Sequence, residues 1–158
     1  SIPSDVSDRL LDNVVELSAT RAAFAARKLD GSVVSWGNEE CGASGVTFHN
    51  IKKVVGNRCA FAALTNDNEV IAWGDELHGG VIPADVSESL FDVEAIYSSP
   101  NRGSFAALTK KGKVIFWGQN KDKFDTISHH MDSNVLSVYF DKNNQLNAIK
   151  SDGVRITL

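Results

Sequence analysis

Ala60-Phe61-Ala62-Ala63-Leu64, a short turn at Asp67-Asn68, then Val70-Ile71-Ala72-Trp73-Gly74: this stretch decides the fold, because the chain says it more than once. Ala23-Phe24-Ala25-Ala26 leads in the same way to Trp36-Gly37, and Ser104-Phe105-Ala106-Ala107-Leu108 leads to Trp117-Gly118. Each Phe precedes its Trp by twelve residues in all three copies, without a gap. A degraded fourth copy runs from Leu146-Asn147-Ala148-Ile149 to Arg155-Ile156-Thr157-Leu158, with Leu158 in the place of the Trp. The Phe positions, with Leu146 as the fourth, step by 37, 44 and 41 residues. A period of that size belongs to propeller blades or helical pairs.

The interior of each copy chooses between them. Val33-Val34-Ser35-Trp36, Val70-Ile71-Ala72-Trp73 and Val114-Ile115-Phe116-Trp117 are β-branched and aromatic, the composition of strands. Between the Phe and Trp segments stand Asp30-Gly31, Asp67-Asn68, Lys111-Gly112 and Asp152-Gly153. Gly or Asn fills the second place each time, as a tight hairpin turn with positive φ requires. A further strand precedes each hairpin: Val14–Leu17, Ile51–Val55, Val93–Tyr97 and Val135–Tyr139. A short fourth extended piece is expected after the Trp-Gly loop, as in Gly80-Val81-Ile82-Pro83. Helical periodicity is short, confined to single turns at Val6–Leu11 and Val86–Phe91. One small sheet cannot shield both faces, but sheets stacked face to face can. The reading is all-β, a β-propeller-like array of four units near 13–50, 51–92, 93–134 and 135–158, in one repeat domain.

Ala-Phe-Ala-Ala-Leu, a turn and Val-x-x-Trp-Gly resemble the repeat of the regulator-of-chromosome-condensation family, above all its bacterial relatives, over residues 13–158. The resemblance implies a β-propeller of four-stranded blades, typically seven, so four units fall short of a ring. The family's eukaryotic founder is a nucleotide-exchange factor on chromatin, and an acidic chain without a basic tail does not carry that over. The bacterial relatives imply a secreted or cell-surface protein that binds a partner protein through its loops, in a virulence, adhesion or inhibitor role.

The chain ends suggest how four units close. Ile2-Pro3-Ser4-Asp5-Val6-Ser7 parallels Ile82-Pro83-Ala84-Asp85-Val86-Ser87. The N-terminal segment, residues 1–7, is therefore expected to supply the missing outer strand of the fourth unit. The alternative is an open arc completed by a second copy, as a homodimer, or by further repeats of a longer polypeptide. The opening Ser1-Ile2-Pro3-Ser4-Asp5 reads as a cut into such a polypeptide.

Composition narrows the partners. The chain has 158 residues, with 16 Lys and Arg against 20 Asp and Glu, a formal charge of −4. Phosphate binding needs a surplus of cations, so nucleic acid is not the expected partner. No apolar run approaches the length of a membrane-spanning helix, and membrane insertion is not expected.

The candidate contact residues lie in the loops after Trp-Gly, where a propeller varies over a fixed scaffold. They are Asn38, Glu39, Glu40, Asp75, Glu76, His78, Gln119 and Asn120. The first two loops are acidic and either meet a basic partner or form a solvated rim. Phe24, Trp36, Phe61, Trp73, Phe105 and Trp117 are expected in the core between sheets, because they recur in register with the hydrophobic pattern. The rival for the indoles is stacking on sugars at the surface, the mark of a carbohydrate-binding module. Cys41 and Cys59, 18 residues apart, form either a disulfide or two free thiols. No Cys-x-x-Cys, paired His ligands, phosphate-cradling loop or nucleophile elbow is present. No metal, no cofactor and no catalysis are therefore expected. Asp122 to Asn134, with His129-His130-Met131, interrupts the third unit as a decayed or specialised loop.

Overall fold

The computed structural model describes residues 2–10, 12–126 and 128–157; Leu158, in the place of the fourth Trp, lies outside them. The chain is all-β and helix-poor. Its strands are β1 (Val14–Ala19), β2 (Ala23–Lys28), β3 (Val33–Gly37), β4 (Ile51–Gly56), β5 (Ala60–Thr65), β6 (Val70–Gly74), β7 (Val93–Ser98), β8 (Ser104–Thr109), β9 (Val114–Gly118), β10 (Val135–Phe140), β11 (Leu146–Lys150) and β12 (Arg155–Thr157). They make four antiparallel three-stranded sheets, β1-β2-β3, β4-β5-β6, β7-β8-β9 and β10-β11-β12. Phe24 pairs across the hairpin with Trp36, Phe61 with Trp73 and Phe105 with Trp117. The hairpin turns have positive φ at Gly31, Asn68, Gly112 and Gly153, the conformation their sequence asks for. Every sheet also carries a register shift at the start of its first strand, after Val14, Ile51, Val93 and Val135.

The hydrophobic cores lie between sheets. The middle strand sends alternate side chains to opposite neighbours, because successive Cβ atoms of a strand point to opposite faces. Phe61 and Ala63 pack with Ala23, Ala25 and Val33 of the first sheet. Ala60, Ala62 and Leu64 pack instead with Phe105, Ala107 and Trp117 of the third. Ala106 and Leu108 face Leu146 and Ala148 of the fourth. The small alanines let one sheet approach the Phe-Trp pair of the next. First strands of successive sheets also touch, β1 with β4, β4 with β7 and β7 with β10. The sheets therefore fan out from an inner line of first strands, with third strands at the periphery.

Two expectations are corrected here. The N-terminal segment is no strand of the fourth sheet. Ser4–Arg9 forms helix α1, which packs on β3 of the first sheet. Its counterpart α2 (Ala84–Ser87) packs on β9 of the third sheet. Pro3 and Pro83, at φ −57° and −59°, start the two helices, where the missing N–H costs no bond. The parallel between residues 2–7 and 82–87 is thus real, but it encodes a helix over the outer edge of the following sheet. That edge is also where a fourth strand was expected. Among the described residues each sheet has three strands, and Phe48, bridging Val33 through two backbone hydrogen bonds, is the remnant of a fourth in the first sheet.

Candidate interaction face

The turn between the first and second strands and the loop after the third strand emerge at the same end of each sheet. Backbone bonds confirm the juxtaposition: Asn38 N–H donates to Ala22 O at 2.8 Å, Asp75 N–H to Cys59 O at 3.0 Å and Gln119 N–H to Gly103 O at 2.7 Å. All eight predicted contact residues therefore lie on one end of the fan.

They divide by role. Asn38 Oδ1 accepts from Cys41 N–H at 3.1 Å and caps the 3-10 turn Glu39–Cys41. Asp75 does the same for Glu76–His78, accepting from the backbone N–H of His78, and it also holds the His78 ring through Nδ1. His78 sits against Gly103 of the next sheet's turn, where a side chain would collide with it. Gln119 Oε1 accepts from Gly103 N–H at 3.3 Å. Asn38, Asp75, His78 and Gln119 thus brace loops. Glu39, Glu40, Glu76 and Asn120 are exposed. After Asn120 the third loop departs from the first two and forms helix α3 (Lys121–Asp125), whose Phe124 stacks on Phe116 at 4.5 Å.

The loops also bind the sheets to one another. Each 3-10 turn ends at a left-handed glycine, Gly42 or Gly79, where a Cβ would meet the Phe61 or Phe105 ring at 2.6 or 2.9 Å. The carbonyls of these glycines accept the indole N–H of Trp73 at 3.0 Å and of Trp117 at 3.1 Å. Cys41 of the first loop is bonded to Cys59 of the second sheet's turn.

The aromatic residues need one correction. Phe61, Trp73, Phe105 and Trp117 are buried, but Phe24 is 43% exposed and Trp36 is half-buried. Their pair lies on the side of the first sheet that, among the described residues, no other sheet covers. Met131 is fully buried in the third core, so the interrupting segment spends it on packing; the adjacent rings of His129 and His130 are exposed and 3.9 Å apart in a 3-10 turn. Near it Lys121 is shared by Asp125 and Asp85, which hold the ammonium above its ordinary pKa, chiefly through the Asp125 hydrogen bond.

Three residues of this face escaped the sequence reading. Arg21, Arg58 and Arg102 each stand three places before the Phe of their copy, in Thr20-Arg21-Ala22-Ala23-Phe24, Asn57-Arg58-Cys59-Ala60-Phe61 and Asn101-Arg102-Gly103-Ser104-Phe105. All three are exposed. Extending the repeat alignment a few residues upstream of the Phe would have found them.

No protein-family model and no curated protein sequence matches the chain. Solved structures do. Human WBSCR16 superposes with a TM-score of 0.62 at 15% identity, over 91% of this chain and 46% of its own. The ectodomain of the Physcomitrella patens receptor kinase CR4 gives 0.63 at 16%, over 91% and 40%. Prp20p of Saccharomyces cerevisiae, the yeast RCC1, gives 0.58 at 14%, over 91% and 44%. The chain spans less than half the length of each. At such identities the likeness speaks for the fold alone, and that fold is of the β-propeller type.

Proposed function

We propose that this chain is a non-catalytic module that binds a protein partner through the end carrying the arginine turns and the post-Trp loops. We place it in an exported or surface-associated bacterial polypeptide. One observation carries the reading. Glu39, Glu40, Glu76, Arg21, Arg58 and Arg102 are exposed on one end of a braced scaffold and, among the described residues, have no ion-pair partner. Charges displayed on a backbone fixed by hydrogen bonds and a disulfide bind with little ordering cost. The yeast propeller Prp20p is described with binding to Gsp1p and histones, and in complex with Kap60, so this scaffold type can serve protein recognition. The Cys41–Cys59 bond supports an oxidising compartment. A carbohydrate module using all three indoles is disfavoured, because Trp73 and Trp117 are buried with their N–H groups engaged.

The test is affinity capture from the native extracellular milieu, comparing the parent chain with a Glu39→Lys/Glu40→Lys/Glu76→Lys variant. Asp75 is left in place because it braces His78. Loss of a captured protein from the variant is the expected result. Identical capture by both would remove this face from the interaction.

A further inference from the structure

The centre of the proposed face is basic although the chain as a whole is acidic, with 20 carboxylates against 16 Lys and Arg. Arg21 and Arg58 line a cleft of about 480 Å³ together with Thr20, Asn57, Pro100 and Asn101, and no acidic residue lines it. Arg102 follows Asn101 in the same turn of the third sheet. The turns are locked side by side, since Arg21 N–H donates to Arg58 O at 3.0 Å. Each turn is also fixed within itself. Thr20 Oγ1 accepts from Ala23 N–H at 3.0 Å, and Asn57 Oδ1 accepts from Cys59 and Ala60 N–H at 3.1 and 3.0 Å.

Chemically related positions of one repeat thus bring guanidinium groups to adjoining turns. The other arginine on a sheet near this inner line, Arg27, is answered by Glu16 at 2.9 Å. Arg21, Arg58 and Arg102 have no such answer among the described residues. Guanidinium forks pair bidentately with carboxylates, and arginine is over-represented among residues that dominate binding energy. Farther out on the same face stand Glu39, Glu40 and Glu76. Carboxylates on the same face repel a long polyanion such as nucleic acid, whereas a short acidic segment needs to contact only the arginine turns.

We infer that the arginine turns form a binding site for a short acidic peptide segment, whose carboxylates pair with Arg21, Arg58 and Arg102. This rests on the reading of the face as a protein-interaction surface and names the chemistry of the partner at its centre.

The test uses the whole chain and fluorescein-labelled hexaglutamate, read by anisotropy at about 50 mM salt, where surface charges are weakly screened. Arg21→Gln/Arg58→Gln is expected to weaken binding by about tenfold or more. Lys110→Gln/Lys111→Gln removes the same charge from exposed positions in the β8–β9 turn at the opposite end. It is expected to stay within about twofold of the parent. Thermal melting of both variants checks that the fold is kept. Absent binding by the parent chain, or equal weakening in both variants, overturns the inference. So does tighter, arginine-dependent binding of a six-nucleotide single strand. If partner capture still depends on Glu39, Glu40 and Glu76 while hexaglutamate ignores the arginines, the interaction face stands and only its acidic ligand falls.

Discussion

The same Phe-Trp pair occurs three times with one internal geometry and two different fates. The ring centroids lie 5.6 Å apart in Phe24–Trp36, 5.4 Å in Phe61–Trp73 and 5.3 Å in Phe105–Trp117, all stacked. In the second and third sheets, the alanines and the glycine carbonyl of the preceding sheet close over the pair. In the first sheet, among the described residues, no other sheet closes over it, and Leu17 beside it is 61% exposed. Helix α1 covers only the outer part of that side, through the buried Val6. The difference teaches that the hairpin makes the pair and the neighbouring sheet makes it a core.

Substitution at the three phenylalanines is the strongest way to break this comparison. Phe61→Ala and Phe105→Ala should each cost about 3–5 kcal/mol, the usual loss for a fully buried Phe. Phe24→Ala should cost about 1 kcal/mol or less, since little area leaves contact. Urea denaturation of the three variants measures this, and equal losses would mean that this side of the first sheet is covered after all.

Removing the disulfide should come next, at about 3 kcal/mol for a loop of this length in the chain-entropy picture. Because Cys41 and Cys59 join the first sheet's loop to the second sheet's turn, the effect should be local. Hydrogen exchange of a Cys41→Ser/Cys59→Ser variant should speed up across β2, β4 and β5 before β8. Uniform acceleration would show that the interfaces do not open independently.

Trp73→Phe and Trp117→Phe leave a glycine carbonyl without its indole donor and should cost about 1–3 kcal/mol. Trp36→Phe should cost less than about 0.5 kcal/mol, because among the described residues its N–H has no partner to lose. A large loss at Trp36 would reveal a partner for that indole.

A smaller loss than at the buried indoles is expected at Glu16, which joins the first two sheets through Arg27, Lys53 and the Val54 amide. Burial pushes its carboxyl up, but the Lys53 and Arg27 hydrogen bonds, the Lys53 charge and the Val54 amide outweigh it and hold the pKa below its ordinary value. Its stabilisation is therefore full above the pKa of the unfolded chain and fades as pH falls through the lower, folded value. Glu16→Gln should cost about 1 kcal/mol at neutral pH and nothing in acid. A loss that persists unchanged in acid would show that the carboxylate charge is not what joins the sheets.

Legibility in the sequence followed the range of the physics. The hairpins could be read because Gly31, Asn68, Gly112 and Gly153 answer a local demand for positive φ, and because strand alternation is written residue by residue. The helical turn near residues 4–9 was legible, but its place was not, because the recurrence of Ile-Pro-x-Asp-Val-Ser shows that two segments are alike without showing which edge they cover. The arginines were missed because charge was weighed over the whole chain, where 20 acids hide three basic turns.

By itself the sequence determined three strands of each unit, the turns, the four-fold repeat and the hairpin that joins each Phe segment to its Trp segment, since each follows from spacing within one unit. Only the tertiary structure decided which of those pairs became a core, whether the two cysteines met and where the arginines gathered. Burial and proximity between units depend on what stands next door, and no residue encodes its neighbour's presence.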